Sequence, residues 1–69
     1  VIIAISTNDG LAASAKNIGL ISNMKNIYLV PYGQDNAIKK PNSLVFKPEL
    51  IIPSVEEALK GNQIQPLLV

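Results

Sequence analysis

Apolar residues fall along this chain in short runs that polar clusters interrupt. Residues 1–6 are a run rich in Val and Ile, and the polar cluster at residues 6–10 ends it. A second run, at residues 26–30, ends at Pro31. Uninterrupted apolar runs of this length are typical of strands that are buried on both faces of a sheet. The pattern therefore predicts two buried strands, one in each run.

The segment between these strands has helical periodicity. Apolar or small residues recur at spacings of four, three and four from Leu11 to Ser22, which predicts a helix over residues 14–23. Ser14 is the candidate N-cap, and Asn8 is the alternative if the helix begins earlier. A strand, a helix and a second strand within about thirty residues form a βαβ unit, which implies a parallel sheet.

The second half of the chain begins without a clear period. Residues 32–48 are rich in Gly, Asn, Lys and Pro and are predicted to form a long loop, with a short extended stretch at residues 44–46. A helix then follows, because Pro53 suits a first helical turn and Gly61 suits a helix end. A last strand at residues 67–69 completes a β-α-β-loop-α-β order, which is the α/β fold class.

The composition suggests that this apolar surface is covered by something else. The chain has 69 residues, of which 48% are hydrophobic, and a chain this short buries only about 60% of its unfolded surface. It contains no Cys and no His, so neither a disulfide nor a metal held by these residues adds stability. Both ends are apolar and no initiating Met is present, so we expect a segment of a longer chain.

Charge and residue types exclude several functions for this segment. The formal net charge is +1 and the basic residues are dispersed, unlike the basic patch of a nucleic-acid binder. No apolar stretch reaches the roughly 20 residues that cross a membrane, and the lack of Cys is consistent with the cytoplasm. Without His and Cys, the segment has no Ser-His-Asp triad and no thiolate metal site. It also lacks both glycine-rich phosphate loops.

Polar residues follow both predicted strands, at residues 6–10 and from residue 32 to residue 43. In open parallel sheets, ligands bind beyond the carboxyl ends of the strands, and adjacent parallel strands place those ends at one edge. No catalytic role is assigned to any of these residues. The candidate cofactor- or substrate-binding residues are Ser6, Thr7, Asn8, Asp9, Gly33, Gln34, Asp35, Lys39, Lys40, Asn42 and Ser43.

Structural explanations compete with these functional ones. Ser, Thr, Asn, Asp and Gly at the end of a strand are ordinary turn and cap residues. Lys39 and Lys40 are typical of a solvated surface pair. Tyr28 lies inside a predicted strand and is expected in the core, whereas Tyr32 is expected at the mouth of the loop, where it could stack on a ligand.

Five strings of residues are unusual in combination: Ile-Ser-Thr-Asn-Asp at 5–9, Lys-Asn-Ile-Tyr at 25–28, Pro-Tyr-Gly-Gln-Asp at 31–35, Lys-Lys-Pro-Asn-Ser at 39–43 and Gln-Ile-Gln-Pro-Leu-Leu-Val at 63–69. Together they resemble the dipicolinate synthase B subunits. These belong with a flavoprotein-like family that includes phosphopantothenoylcysteine decarboxylases and flavin prenyltransferases. The resemblance extends over the whole chain without an obvious gap.

This resemblance implies the C-terminal part of a flavodoxin-like (Rossmann-like) three-layer fold with a parallel sheet. Residues 1–69 would be the C-terminal segment of a single flavoprotein-like domain, in oligomers that share flavin sites. The decarboxylases have a Pro-x-Met-Asn motif where this chain reads Ile-Ser-Thr-Asn, so only Asn8 carries over. They also use a Cys that this chain lacks, which argues against that decarboxylation.

The implied function is that of an oxidoreductase subunit in the cytoplasm of the mother cell of a sporulating bacterium. With the nicotinamide-binding A subunit of dipicolinate synthase, which would bring NAD(P), it would convert a dihydrodipicolinate-type precursor to dipicolinate, and FMN is its expected cofactor. Lys39 or Lys40 would pair with a carboxylate of the small anionic substrate. Asn8, Thr7 and Ser6 would hydrogen-bond the ring or the flavin.

Two alternatives stay open. The protein could be a non-catalytic scaffold that stabilises the A subunit, because the apolar excess suits extensive burial in an assembly. Without the resemblance, the other interpretation is half of an unrelated nucleotide-binding α/β domain, which the lack of a glycine-rich phosphate loop disfavours.

Overall fold

The computed structural model describes all 69 residues, which form five strands, two α-helices and one 3₁₀ turn. Neither of the two α-helices is long and apolar enough to cross a membrane. In chain order the elements are β1 (Ile2–Ile3), β2 (Ser6–Thr7), α1 (Ala15–Ser22), β3 (Tyr28–Leu29), β4 (Tyr32–Asn36), β5 (Lys40–Phe46), the 3₁₀ turn (Pro48–Leu50) and α2 (Ile51–Leu59).

The strands form two small sheets, one parallel and one antiparallel. In the first sheet, β1 pairs with β3 in parallel, so that Ile2 lies opposite Tyr28 and Ile3 opposite Leu29. Helix α1 connects these two strands, which confirms the predicted βαβ unit. The predicted first strand is interrupted, however, because its end forms β2 and pairs in the second sheet, whose order is β2-β5-β4.

The predicted long loop at residues 32–48 is wrong, because most of it is the antiparallel hairpin of β4 and β5. Its turn is closed by Asn36, whose side-chain oxygen accepts hydrogen bonds from the N–H groups of Ile38 (3.2 Å) and Lys39 (3.0 Å). An irregular register between Gln34 and Asn36 breaks the regular pairing. The last three residues of β4 are exposed, so the strand shows no apolar alternation in the sequence. The predicted extended stretch at residues 44–46 is confirmed within β5.

Both predicted helices are present, with differences at their ends. Ser14 is the N-cap residue of α1, as predicted, but its side chain makes no capping hydrogen bond to the helix. Helix α2 has Pro53 in its first turn, as predicted. It ends in a Schellman motif, in which the N–H of Gly61 donates to the Ala58 carbonyl (2.9 Å) and that of Asn62 to the Glu57 carbonyl (2.9 Å).

A small apolar core is built from the two sheets, α1 and the C-terminal segment. It consists of Ile5, Leu29, Tyr32 and Leu44, and partly buried side chains from both sheets, α1 and the C-terminal segment pack against it. Tyr32 is therefore a core residue, and the expectation that it lies at a loop mouth is wrong. Tyr32 is the first residue of β4, and this end of the strand is buried. The polar residues that follow in β4 are exposed.

The C-terminal segment is fixed to the sheets by backbone contacts and by one glutamine. The Gln63 side chain accepts a hydrogen bond from the Leu29 N–H (2.7 Å) and donates one to the Leu29 carbonyl (2.6 Å). It thereby takes the place of a neighbouring strand at that point of β3. The predicted last strand is reduced to a single parallel bridge between Leu68 and Tyr32.

Much of the apolar surface is exposed, since only 10 of 69 residues are buried. The expectation that these side chains need further cover agrees with this exposure. Exposed apolar side chains lie on both helices, at the tip of the hairpin and at the C-terminus; they include Leu20, Met24, Ile38, Ile52, Leu59 and Leu68.

Two glycines provide a matched pair of substitutions, one at the end of α2 and one inside α1. Gly61 has a φ of 80°, so Gly61→Ala should destabilise the fold by about 1 kcal/mol, the usual cost of a left-handed alanine. Gly19 lies inside α1, and a Cβ there would have no neighbour within 4 Å, so Gly19→Ala should stabilise by about 0.5–1 kcal/mol. Urea unfolding followed by circular dichroism measures both. Equal effects of the two changes would contradict the assigned helix end.

Candidate functional site

The main cleft of the molecule has a volume of about 500 Å³ and opens over the antiparallel sheet. Its lining is mostly polar and comes from β2, the turn after it, β4 and β5. Five of its seven residues, all except the last two, are among the predicted site residues. The lining consists of Ser6, Thr7, Asn8, Asp35, Ser43, Leu44 and Val45.

These residues come together because β5 lies between β2 and β4. Val45 of β5 is paired with Ser6 on one side and with Gly33 on the other, and Leu44 is paired in the same way with Thr7 and Gln34. The two predicted polar segments therefore converge, and they follow β1 and β3, which pair in parallel as predicted. The contacts between the segments themselves are antiparallel, because β5 pairs with both β2 and β4.

The polar side chains of the cleft differ in whether they already make hydrogen bonds within the protein. The Thr7 hydroxyl donates a hydrogen bond to the Asp9 carboxylate at 2.6 Å. The side chains of Ser6, Asn8 and Ser43 make no hydrogen bond within the protein. Because hydroxyls and amides both donate and accept, these three side chains are the ones available to a ligand.

Asp9 is a structural residue of the turn between β2 and α1. Its carboxylate accepts hydrogen bonds from the hydroxyls of Thr7 (2.6 Å) and Ser14 (2.8 Å), and its carbonyl accepts the N–H of Ala12 (2.9 Å). The Thr7 hydroxyl first, and the Ser14 hydroxyl second, lower the pKa of Asp9 below its ordinary value of 3.8. This carboxylate does not line the cleft, and among the predicted site residues its side chain is hydrogen-bonded to Thr7.

The two predicted cations lie at the hairpin, outside the lining of the cleft. The ammonium group of Lys40 is 3.8 Å from the Asp35 carboxylate, and the side chains are 65% and 48% exposed. An ion pair this exposed contributes at most about 1 kcal/mol, so a ligand could displace it. Lys39 lies in the turn of the hairpin, where its backbone N–H is bound by Asn36.

The other predicted residues lie elsewhere on the hairpin. Gly33 and Gln34 line a second, smaller cleft of about 240 Å³ beside the C-terminal residues. A Cβ at Gly33 would collide with the carbonyl oxygen of Val69, so this glycine permits the close approach of the C-terminal segment. The Asn42 carbonyl accepts the N–H of Leu11 (3.1 Å), which ties β5 to the turn before α1.

Two residues of the main cleft were not predicted from the sequence, namely Leu44 and Val45. Both lie in the extended stretch that the sequence did indicate. Their position next to Ser43 was the available signal, because residues adjacent to a ligand-binding residue in a strand also lie close to the ligand. Without the antiparallel pairing, their apolar character suggested only core packing.

The hydrogen bonds to the Asp9 carboxylate make a pH-dependent contribution to stability, and this contribution can be tested through the pKa of Asp9. A carboxylate with a lowered pKa stabilises the folded state above its unfolded pKa, and this contribution disappears as the pH falls through the lower folded value. We expect Thr7→Val to raise the pKa of Asp9 towards 3.8, while Thr7→Ser, which keeps a hydroxyl, leaves it low. Carboxyl-carbon NMR titration measures this pKa. An Asp9 pKa that is the same in all three proteins would contradict the assignment.

Comparison with known proteins identifies relatives of this chain, although no protein-family model matches it. The chain is 45% identical to the dipicolinate synthase B subunit of Bacillus subtilis (strain 168) over all 69 residues, which are 34% of that protein. A crystal structure of the dipicolinate synthase B subunit from Bacillus halodurans C matches with a TM-score of 0.98 and 48% identity. That match covers all of this chain and 35% of the solved one.

Both relatives agree in name, and the solved structure agrees in chain path as well. The chain spans about a third of the length of each relative. The mixed α/β architecture with a parallel strand pair and two helices is therefore one that a crystal structure also contains. Over its whole length this chain is similar to the B subunit of dipicolinate synthase, and the resemblance drawn from its sequence is confirmed.

Proposed function

We propose that this chain is part of a dipicolinate synthase, and that its main cleft contributes to the site where a dihydrodipicolinate-type precursor becomes dipicolinate. The observation that carries the proposal is the 45% identity over every residue of the chain. The polar lining of the cleft supports it, because unsatisfied hydroxyl and amide groups are what a small polar ligand requires.

The proposed reaction is an oxidation. Formation of the aromatic ring removes one hydride and one proton from the precursor; the hydride goes to FMN or to the NAD(P)⁺ of the A subunit, and the proton to a base. The chain's own cleft residues would bind and orient the ring. Asn8 is the residue that carries over from the decarboxylases of the wider family, and its free amide supports a contact with ring or cofactor.

The lining of the cleft suits part of an FMN molecule. The hydroxyls of Ser6 and Ser43 and the amide of Asn8 match the hydrogen-bonding groups of the ring and the ribityl chain. No Lys is among the lining residues, so the phosphate would need other groups. When bound, FMN supplies a hydride acceptor. The β1-α1-β3 unit is consistent with a flavodoxin-like, Rossmann-like fold, which we propose for the domain.

The exposed apolar side chains support an assembly that holds the A subunit together with further copies of this protein. Large exposed apolar areas commonly mark interfaces. The proposed location, which follows from the resemblance, is the cytoplasm of the mother cell of a sporulating bacterium. A non-catalytic scaffold is the second candidate, and the same exposed residues favour it.

The experiment that separates these candidates uses the full-length protein mixed with the A subunit. Dipicolinate formation is followed by liquid chromatography, and the absorption spectrum of the isolated full-length protein reports bound flavin. We expect activity to require both proteins and to fall when Asn8→Ala is introduced. Full activity from the isolated A subunit would contradict the catalytic proposal and favour the scaffold.

The substrate is proposed to be a small dicarboxylate whose negative charge Lys40 recognises at the rim of the cleft. Lys40→Ala should raise the KM for the substrate about two- to fivefold, the range expected for an exposed ion pair, with little change in kcat. Lys16, an exposed residue of α1, provides the matched control as Lys16→Ala. Equal KM values for the two variants would show that Lys40 makes no contact with the substrate.

A further inference from the structure

Asp35 is the only charged residue on the lining of the main cleft, and its carboxylate is held only weakly by the protein. Its side-chain partner is Lys40, whose ammonium group lies 3.8 Å away and outside the lining. That separation is longer than a hydrogen bond. Asp9 gives the contrast, because two hydroxyls donate to its carboxylate and fix it in its turn. Asp35 is therefore the carboxylate of this region that is available to a ligand.

An irregularity in the hairpin places Asp35 beside the main cleft. The regular pairing of β4 with β5 is interrupted between Gln34 and Asn36. Across this interruption β4 contributes Asp35 alone, whereas β5 contributes residues 41–43. The preceding Gln34 lines the second cleft, and Asp35 lines the main one. Irregularities of strand pairing often re-aim a side chain next to a functional site.

The ion pair with Lys40 can be exchanged for a ligand that carries its own carboxylate. Both partners are well exposed, so water weakens their attraction and an anionic ligand can replace Asp35 at the ammonium group. The charge of Lys40 is then neutralised by the ligand, and Asp35 keeps its negative charge without a cationic partner. A carboxylate in that state is a proton acceptor of the kind that acts in general base catalysis.

We propose that Asp35 is the general base of the main cleft, and that the incoming dicarboxylate releases it from Lys40. This inference rests on the proposed function, in which the precursor ring is oxidised. One ring C–H bond breaks with its electron pair, and this hydride passes to the nicotinamide or flavin oxidant. A neighbouring ring C–H bond gives its proton to the Asp35 carboxylate, while the bonding pair stays in the ring and completes the aromatic system.

The same arrangement predicts an effect on binding that does not depend on catalysis. A ligand carboxylate at Lys40 also lies close to Asp35, whose charge repels it and competes for the same ammonium group. Removing the charge of Asp35 should therefore strengthen the binding of a dicarboxylate. A purely structural role of Asp35 in the hairpin would not produce tighter binding.

The experiment compares Asp35→Asn with the wild type in the full-length protein. In the mixture with the A subunit, the variant should lose about 10²- to 10⁴-fold in kcat, the usual contribution of a general base. Titration calorimetry of the full-length protein alone should show that dipicolinate binds about two- to fivefold more tightly. The substitution is nearly isosteric and removes only an exposed ion pair, so the thermal midpoint should change little.

Glu49→Gln is the matched control, because it changes the net charge by the same amount. Glu49 is an exposed residue of the 3₁₀ turn and lines neither cleft. This variant should keep the kcat and the dipicolinate affinity of the wild type. The comparison therefore separates the position of Asp35 from a general effect of charge.

Two results would overturn the inference while the wild-type mixture still forms dipicolinate. One is a kcat of Asp35→Asn equal to that of the wild type, and the other is a dipicolinate affinity that stays the same or falls. A wild-type mixture that forms no dipicolinate would instead overturn the proposed function, and the assignment of the base with it.

Discussion

The arrangement of this molecule depends on the pairing of β5 with two different strands. Its backbone hydrogen-bonds β2 on one side and β4 on the other, and its buried residue Leu44 belongs to the core. The same strand contributes Ser43, Leu44 and Val45 to the lining of the main cleft. Core packing and the candidate site are therefore two consequences of one strand.

Hydroxyl and carboxylate groups near the cleft have separate roles, although they look alike in the sequence. Thr7 and Ser14 satisfy the Asp9 carboxylate and so fix the turn before α1. Ser6 and Ser43 keep their hydroxyls free of protein partners. The hydrogen bonds within this turn hold the backbone in place, while the hydroxyls of the neighbouring strands stay available to a ligand. A rigid binding site requires both features.

The core is small for a chain with this many apolar residues. Only Ile5, Leu29, Tyr32 and Leu44 form its buried cluster, while apolar side chains on both helices and at the hairpin tip stay exposed. Hydrophobic burial stabilises a fold in proportion to the apolar area removed from water. Association that covers these exposed side chains would therefore add stability. The exposed apolar side chains and the cleft belong to the same small fold, so association would affect the geometry of the site.

The sequence by itself determined the βαβ unit, both helices, the Gly61 helix end and five of the seven lining residues of the cleft, because local periodicity and turn chemistry act over a few residues. Its unusual strings also indicated the relatives. Only the tertiary structure decided that residues 32–48 form a hairpin, that Tyr32 is buried, and that Asp9 and Lys39 lie outside the cleft. Those features depend on strand pairing between distant residues, and the partner of a strand is not encoded in its own pattern.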